Sequence, residues 1–151
     1  MTGDSDSEER MTVHATAVAI AGAGLLIRGK SGAGKSDLAL RLIDRGAILI
    51  SDDQVEISRE NEKLWLSPPA SLAGKLEVRS LGILERDHVS GIALKLVIDL
   101  KDHPDRFPMD SQVMILLGLK FPACTLAAME TSAAIKAELA MQRIMQGATE
   151  S

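Results

Sequence analysis

From Thr12 to Ile20 apolar and polar side chains alternate loosely, a period of two that predicts a strand. The segment Ala21–Gly24 (AGAG) predicts a turn and the following LLIRG a second strand, so the two pieces form a plausible hairpin. Over SDLALRLIDRG the period lengthens. Leu38, Leu42 and Ile43 fall at helical spacing, Asp37 stands in the first turn, Arg45 in the last, and Gly46 is a natural stop. Acid at the start and base at the end suit the helix dipole. Ala47–Ser51 (AILIS) then predicts a short buried strand ending in the acidic pair Asp52 and Asp53. VEISRENEKLWLSPP predicts two strands around the polar turn Arg59–Lys63, closed by Pro68 and Pro69.

The stretch SLAGKLEVRSLGIL is mixed, and Ala93–Leu100 (ALKLVIDL) is a near-continuous apolar strand followed by the loop KDHPDRFP. Residues 130–146 predict the last helix, apolar at Ile135, Leu139, Met141 and Ile144. Strands and helices in this order predict an α/β fold, a mixed sheet with flanking helices. No internal repeat or linker divides it, so residues 11–147 are expected to form one domain. Residues 1–10 (MTGDSDSEER), polar and acidic, are expected to be a disordered tail, and residues 148–151 a flexible end.

Composition narrows the class. A chain of 151 residues suits one domain with a real core. Phe107, Phe121 and Trp65 are its only aromatics, so that core must be aliphatic. The net charge of −4 and the lack of Tyr argue against nucleic acid, whose readers are commonly basic and often stack bases on aromatics. A single cysteine, Cys124, rules out an internal disulfide, fits a reducing cytosol, and is most simply a buried small hydrophobe. The N-terminus lacks the features of a signal peptide, and no apolar run approaches the roughly 20 residues that span a bilayer. A cytoplasmic protein without membrane contact is the expectation.

The octapeptide Gly29-Lys30-Ser31-Gly32-Ala33-Gly34-Lys35-Ser36 matches G-x-x-x-x-G-K-[ST] at every fixed position. Its glycines let the backbone curl so that successive N–H groups point inward at phosphate oxygens. The helix that follows offers unpaired N–H groups and its positive end to the same anion. Lys35 is expected to reach the β- and γ-phosphates of ATP, and the Ser36 hydroxyl to ligate Mg²⁺. A chance glycine-rich turn could match as well, but this one lies between a predicted strand and an amphipathic helix, the context a P-loop requires.

A P-loop needs an acid at the end of an apolar strand, and two candidates compete. Asp52 and Asp53 end AILIS, whereas Asp99 ends LKLVI on a later strand. Adjacent carboxylates could divide the work between a metal and a substrate hydroxyl, or simply cap a turn. His14 reads equally as a satisfied core histidine or a catalytic group, while His88 and His103 lie in polar loops. Glu77 and Arg79, alternating along LEVRS, form either a same-face salt bridge or an acid and a cation near phosphate.

Together these residues resemble the C-terminal catalytic domain of the HPr kinase/phosphorylase family. The resemblance runs through VHATAVAIAGAGLLIRGKSGAGKSDLALRLIDRGAILISDDQVEI and LAGKLEVRSLGIL, roughly Val13 to Leu84, and the rest only in outline. It implies a P-loop core of the phosphoenolpyruvate carboxykinase type and an ATP- and Mg²⁺-dependent protein serine kinase. Asp52 would be the catalytic carboxylate, with His14 beside it and Arg79 as the signature arginine. Ser36, Glu77 and Asp53 would face the metal. The implied acceptor is a serine of an HPr-like phosphocarrier of the sugar phosphotransferase system, and the implied assembly a homo-oligomer, typically a hexamer.

Three departures bear on this expectation. The chain reads as a short form without the family's usual N-terminal domain, Ser80 stands where the signature has glycine, and LKFPACTLAAMETSAAIKAELAMQRIM lacks the family's P-G-R-N run. The last two touch elements that serve phosphorolysis of the phosphoserine, so the kinase is the firmer expectation. Two other functions suit the same residues, a non-catalytic nucleotide sensor and a kinase of small molecules.

Overall fold

The computed structural model describes residues 9–104 and 112–150. Along the chain run β1 (Arg10–Val13), β2 (Thr16–Ile20), β3 (Ala23–Arg28), α1 (Lys35–Asp44), β4 (Ile48–Ser51), β5 (Val55–Glu60) and β6 (Lys63–Ser67). After a 3₁₀ turn at Ala70–Leu72 come β7 (Lys75–Val78), β8 (Gly82–Glu85), β9 (Ile92–Leu100), β10 (Val113–Leu116), β11 (Leu119–Leu126) and α2 (Ala133–Glu150). The fold is α/β with a mixed sheet and flanking helices, as expected. Residues 1–8 of the expected tail and residues 105–108 of the expected loop lie outside the described residues.

The apolar run of β9 is the axis of the sheet. It pairs in parallel with β3 on one side and β11 on the other, and antiparallel with the end of β6. Alternate residues of these strands serve two cores. Leu25, Ile27, Leu96 and Ile98 face a layer closed by Leu38, Ala39 and Leu42 of α1 and by Ala133, Ala137 and Met141 of α2. Leu26, Leu94 and Val97 face a second layer with Ile50, Ile57, Leu64 and Leu66. Each fully buried leucine contributes about 2 kcal/mol.

The main sheet runs β1-β5-β6-β9-β3-β2-β4. Five strand-to-strand steps separate β1 from β2, about 24 Å in a flat sheet. Yet the chain passes from Val13 to Thr16, a reach of at most about 11 Å. It passes from β4 back to β5 between Ser51 and Val55, at most about 14 Å, across the same number of steps. The sheet therefore curls until its two ends meet, and the second core fills the curl. The expected single strand Thr12–Ile20 is for this reason two strands, broken at His14 and Ala15 where the chain crosses the seam.

Three further expectations are corrected. Arg10, assigned to the tail, is paired with Ser58 in β1. The last helix starts at Ala133 and continues to Glu150, where a flexible end was expected. Its packed face is alanine-rich, while Ile135 and Leu139 are exposed, because small side chains let the helix lie close on the sheet. The hairpin of β10 and β11 had no counterpart in the apolar pattern.

Candidate active site

The octapeptide leaves β3 and enters α1, the strand–loop–helix context that its sequence predicted. Gly32 and Gly34 take φ values of 83° and 101°, the left-handed region that glycine enters without strain. A Cβ on Gly34 would also lie 2.8 Å from that of Ala128. No side chain caps α1, which leaves the amides of its first turn without a side-chain acceptor. Lys35 Nζ donates to the carbonyl oxygens of Gly29 (2.7 Å) and Lys30 (3.2 Å), which arches its stem over the loop.

Of the two candidate acids, Asp52 is the one bonded to the phosphate loop. Ser36 Oγ donates to Asp52 Oδ1 at 2.7 Å, Thr16 Oγ1 donates to the same oxygen at 2.8 Å, and the Glu77 amide donates to Asp52 Oδ2 at 2.9 Å. Asp52 is 4% exposed, a buried carboxylate with three donors. Asp99 lies instead 3.3 Å from Arg28 Nε, an ion pair at the end of β3 and away from Ser36.

Asp53 turns away from its neighbour. Its φ of 73° sends the side chain outward, where Oδ1 lies 3.7 Å from His14 Nδ1, both side chains being well exposed. His14 is thus no core histidine. It stands at one seam crossing and Asp53 at the other, the reason that residues so far apart in sequence meet. Glu77 is joined to Asp52 through its amide, and its side chain is exposed. Arg79 lies beyond the end of β7 in the exposed turn to β8, so the same-face salt bridge with Glu77 does not form. Ser80, in the same turn, has φ of 75° and so adopts the conformation glycine would take.

Two contributors escaped the sequence. Thr16 is fully buried, and a buried hydroxyl in an apolar strand was a signal that it had a polar partner. Arg41 of α1 donates to the carbonyl oxygens of Ala128 and Glu130, latching residues 127–130 against the phosphate loop. Its helical spacing offered no hint of that contact. Cys124, buried on β11, has its thiol pushed up to about 11 by burial first and by the charge of Asp99 second. It is held protonated. No helix among the described residues is long and apolar enough to cross a membrane.

Known proteins share this sequence and fold. The family model described as the HPr Serine kinase C-terminal domain matches residues 6–147. The HPr kinase/phosphorylase of Azoarcus sp. (strain BH72) is 37% identical over 132 residues, covering 78% of this chain and 42% of that protein. That of Caldicellulosiruptor bescii is 36% identical over 126 residues, 75% of this chain and 40% of that protein. The chain thus spans about two-fifths of the length of these curated relatives. Among solved structures, the Hpr(Ser) kinase/phosphatase from Coxiella burnetii superposes with a TM-score of 0.77 at 28% identity, covering 91% of this chain and 99% of that one.

Proposed function

The chain belongs to the HPr serine kinase C-terminal domain family, and from that premise we propose that it transfers the γ-phosphoryl group of ATP to a serine of an HPr-like phosphocarrier. The observation that carries the proposal is the bond between Ser36 and Asp52, which joins the phosphate loop to a buried acid. Residues Gly29 to Ser36 cradle the phosphates, and Lys35 exchanges its loop carbonyls for the β- and γ-phosphate oxygens.

A carboxylate oxygen offers about two lone pairs. Asp52 Oδ1 uses both on Thr16 and Ser36, whereas Oδ2 uses one on the Glu77 amide. The remaining Oδ2 lone pair accepts the acceptor serine's proton as that oxygen bonds to the γ-phosphorus and the bond to ADP breaks. His14 steadies Asp53 at the rim, and Arg79 offers a cation to the incoming phosphorylated or phosphorylatable loop.

The residues suit Mg²⁺. Because Ser36 spends its hydroxyl proton on Asp52, its oxygen lone pairs are free to face a cation beside that carboxylate, and family likeness would add Glu77 and Asp53 from the exposed rim. When bound, Mg²⁺ neutralises the charge that develops on the β- and γ-phosphates. The turn at Ser80 retains a glycine-like shape, which supports phosphorolysis of the phosphoserine in the same site. A cytoplasmic setting and a homo-oligomer, a hexamer by family likeness, go with this function.

The test is incubation of the purified chain with γ-labelled ATP, Mg²⁺ and HPr-like proteins. Label on a serine, absent with Asp52→Ala, supports the proposal. ATP binding with no labelled protein favours a nucleotide sensor.

A further inference from the structure

A phosphate loop fixes phosphates and leaves the rest of a nucleotide to other parts of the fold. The sheet supplies a place for it. β3, β9 and β11 are mutually parallel neighbours, and all three end at the same side of the molecule. In open α/β sheets the crevice beyond the carboxyl ends of parallel strands is where ligands bind. A cavity of about 400 Å³ opens at that place. Lys30 and Ala33 of the phosphate loop line it after β3, Leu100 at the end of β9 and Asp102 beyond it, and Ala127 and Met129 after β11.

Building on the ATP-dependent function proposed above, we infer that this cavity receives the nucleoside of the bound nucleotide. Its size falls within the range of small-molecule pockets, and its mix of apolar walls with few polar groups is the usual one. Leu100, Ala127 and Met129 offer apolar surface to the faces of a base, and Asp102 a carboxylate to its amino group or to ribose hydroxyls. Met129 is 92% exposed, a long apolar side chain on the lip of the cavity. A base seated beneath it covers both. The cavity shares Lys30 and Ala33 with the phosphate cradle, so one ligand reaches both sites without leaving the protein surface. The wall carrying Ala127 and Met129 is held at this distance by the Arg41 latch and by the Lys101 amide, which donates to the Leu126 carbonyl. Neither Phe121 nor Trp65 lines the cavity, whose apolar walls are aliphatic and thioether.

The experiment compares ATP with inorganic tripolyphosphate, both with Mg²⁺, by titration calorimetry on the intact chain and on Met129→Ala and Ala127→Phe. Removing the lip methionine is expected to weaken ATP about fivefold through lost apolar contact. Tripolyphosphate affinity stays unchanged, which also reports that the loop is folded. Filling the cavity with phenylalanine weakens ATP further, again without touching tripolyphosphate. Equal shifts for the two ligands in Met129→Ala, or none, overturn the cavity's role and leave the phosphate loop standing. A wild-type chain that binds neither ligand overturns the phosphate-loop assignment and this cavity with it.

Discussion

Ser36 and Asp52 are bonded at 2.7 Å, although one opens a helix and the other follows a strand. Asp52 Oδ1 serves two hydroxyls at once, and its Oδ2 binds a backbone amide, so this carboxylate is both the centre of the site and a structural tie. Its two duties separate on substitution.

Asp52→Asn is expected to keep nucleotide binding and lose phosphoryl transfer by a factor of about 10³ or more, since a positioned base contributes roughly 10²–10⁴. Asp52→Ala should in addition lower stability by about 1–3 kcal/mol, because Thr16 and the Glu77 amide lose a buried acceptor. Thermal unfolding beside a single-turnover assay measures the two effects. Full transfer by the Asn variant would remove Asp52 as base.

Thr16→Val preserves shape and deletes one donor to the carboxylate. A loss of about 1–2 kcal/mol in stability is expected, as for a hydrogen bond to a charged group. The rate of transfer should fall while the ATP dissociation constant holds, because Thr16 touches Asp52 and not the phosphate loop. Urea unfolding and ATP titration on the same preparation test both halves.

Lys35→Ala is expected to abolish ATP binding at concentrations that saturate the wild type. Lys35→Arg should not restore it, since a planar guanidinium cannot follow the ammonium's arch over the Gly29 and Lys30 carbonyls. Calorimetric titration decides, and tight binding by the Arg variant would contradict this account.

Ser80→Gly is expected to stabilise the chain by about 1 kcal/mol, relieving a left-handed serine in an exposed turn. Part of that gain is offset by the freer unfolded chain. A drop in melting temperature would show that the serine is held there by something other than its backbone.

Cys124 sets a pH dependence. Its thiol ionises near 9 when unexposed to the fold's influence and near 11 in the folded protein. Between those values the unfolded chain has released a proton that the native chain keeps, so stability is whole below pH 9 and declines as pH rises towards 11. Cys124→Ala should flatten that part of the curve. Unfolding free energy measured from pH 8 to 11 checks the slope.

The phosphate loop and its helix were legible because their signals are local: a fixed spacing of glycines, a lysine and a serine, then a period of 3.6. The tie between Asp52 and Asp99 was not, since both end apolar strands and local pattern treats them alike. What separates them is the pairing of β3 with β9, which hands Asp99 to Arg28, and the order β3-β2-β4, which brings Asp52 to Ser36. Only the family resemblance favoured Asp52 beforehand. The Arg41 latch was equally invisible, because its partners are backbone carbonyls, which every sequence has.

The pairing of β2 with β4 has a kinetic meaning. Thr16 and Asp52 are 36 residues apart, and their contact exists only once β2 has paired with β4. Contacts of such long sequence separation are slow to form, because loop-closure entropy is lost before any pairing compensates it. That pairing is therefore expected to follow the local helix in folding, and the carboxylate to assemble with it. A partly folded chain can own a phosphate loop, which is local, and still lack a base. Loss of catalysis should then accompany the opening of the sheet and precede the loss of the helix that follows the loop.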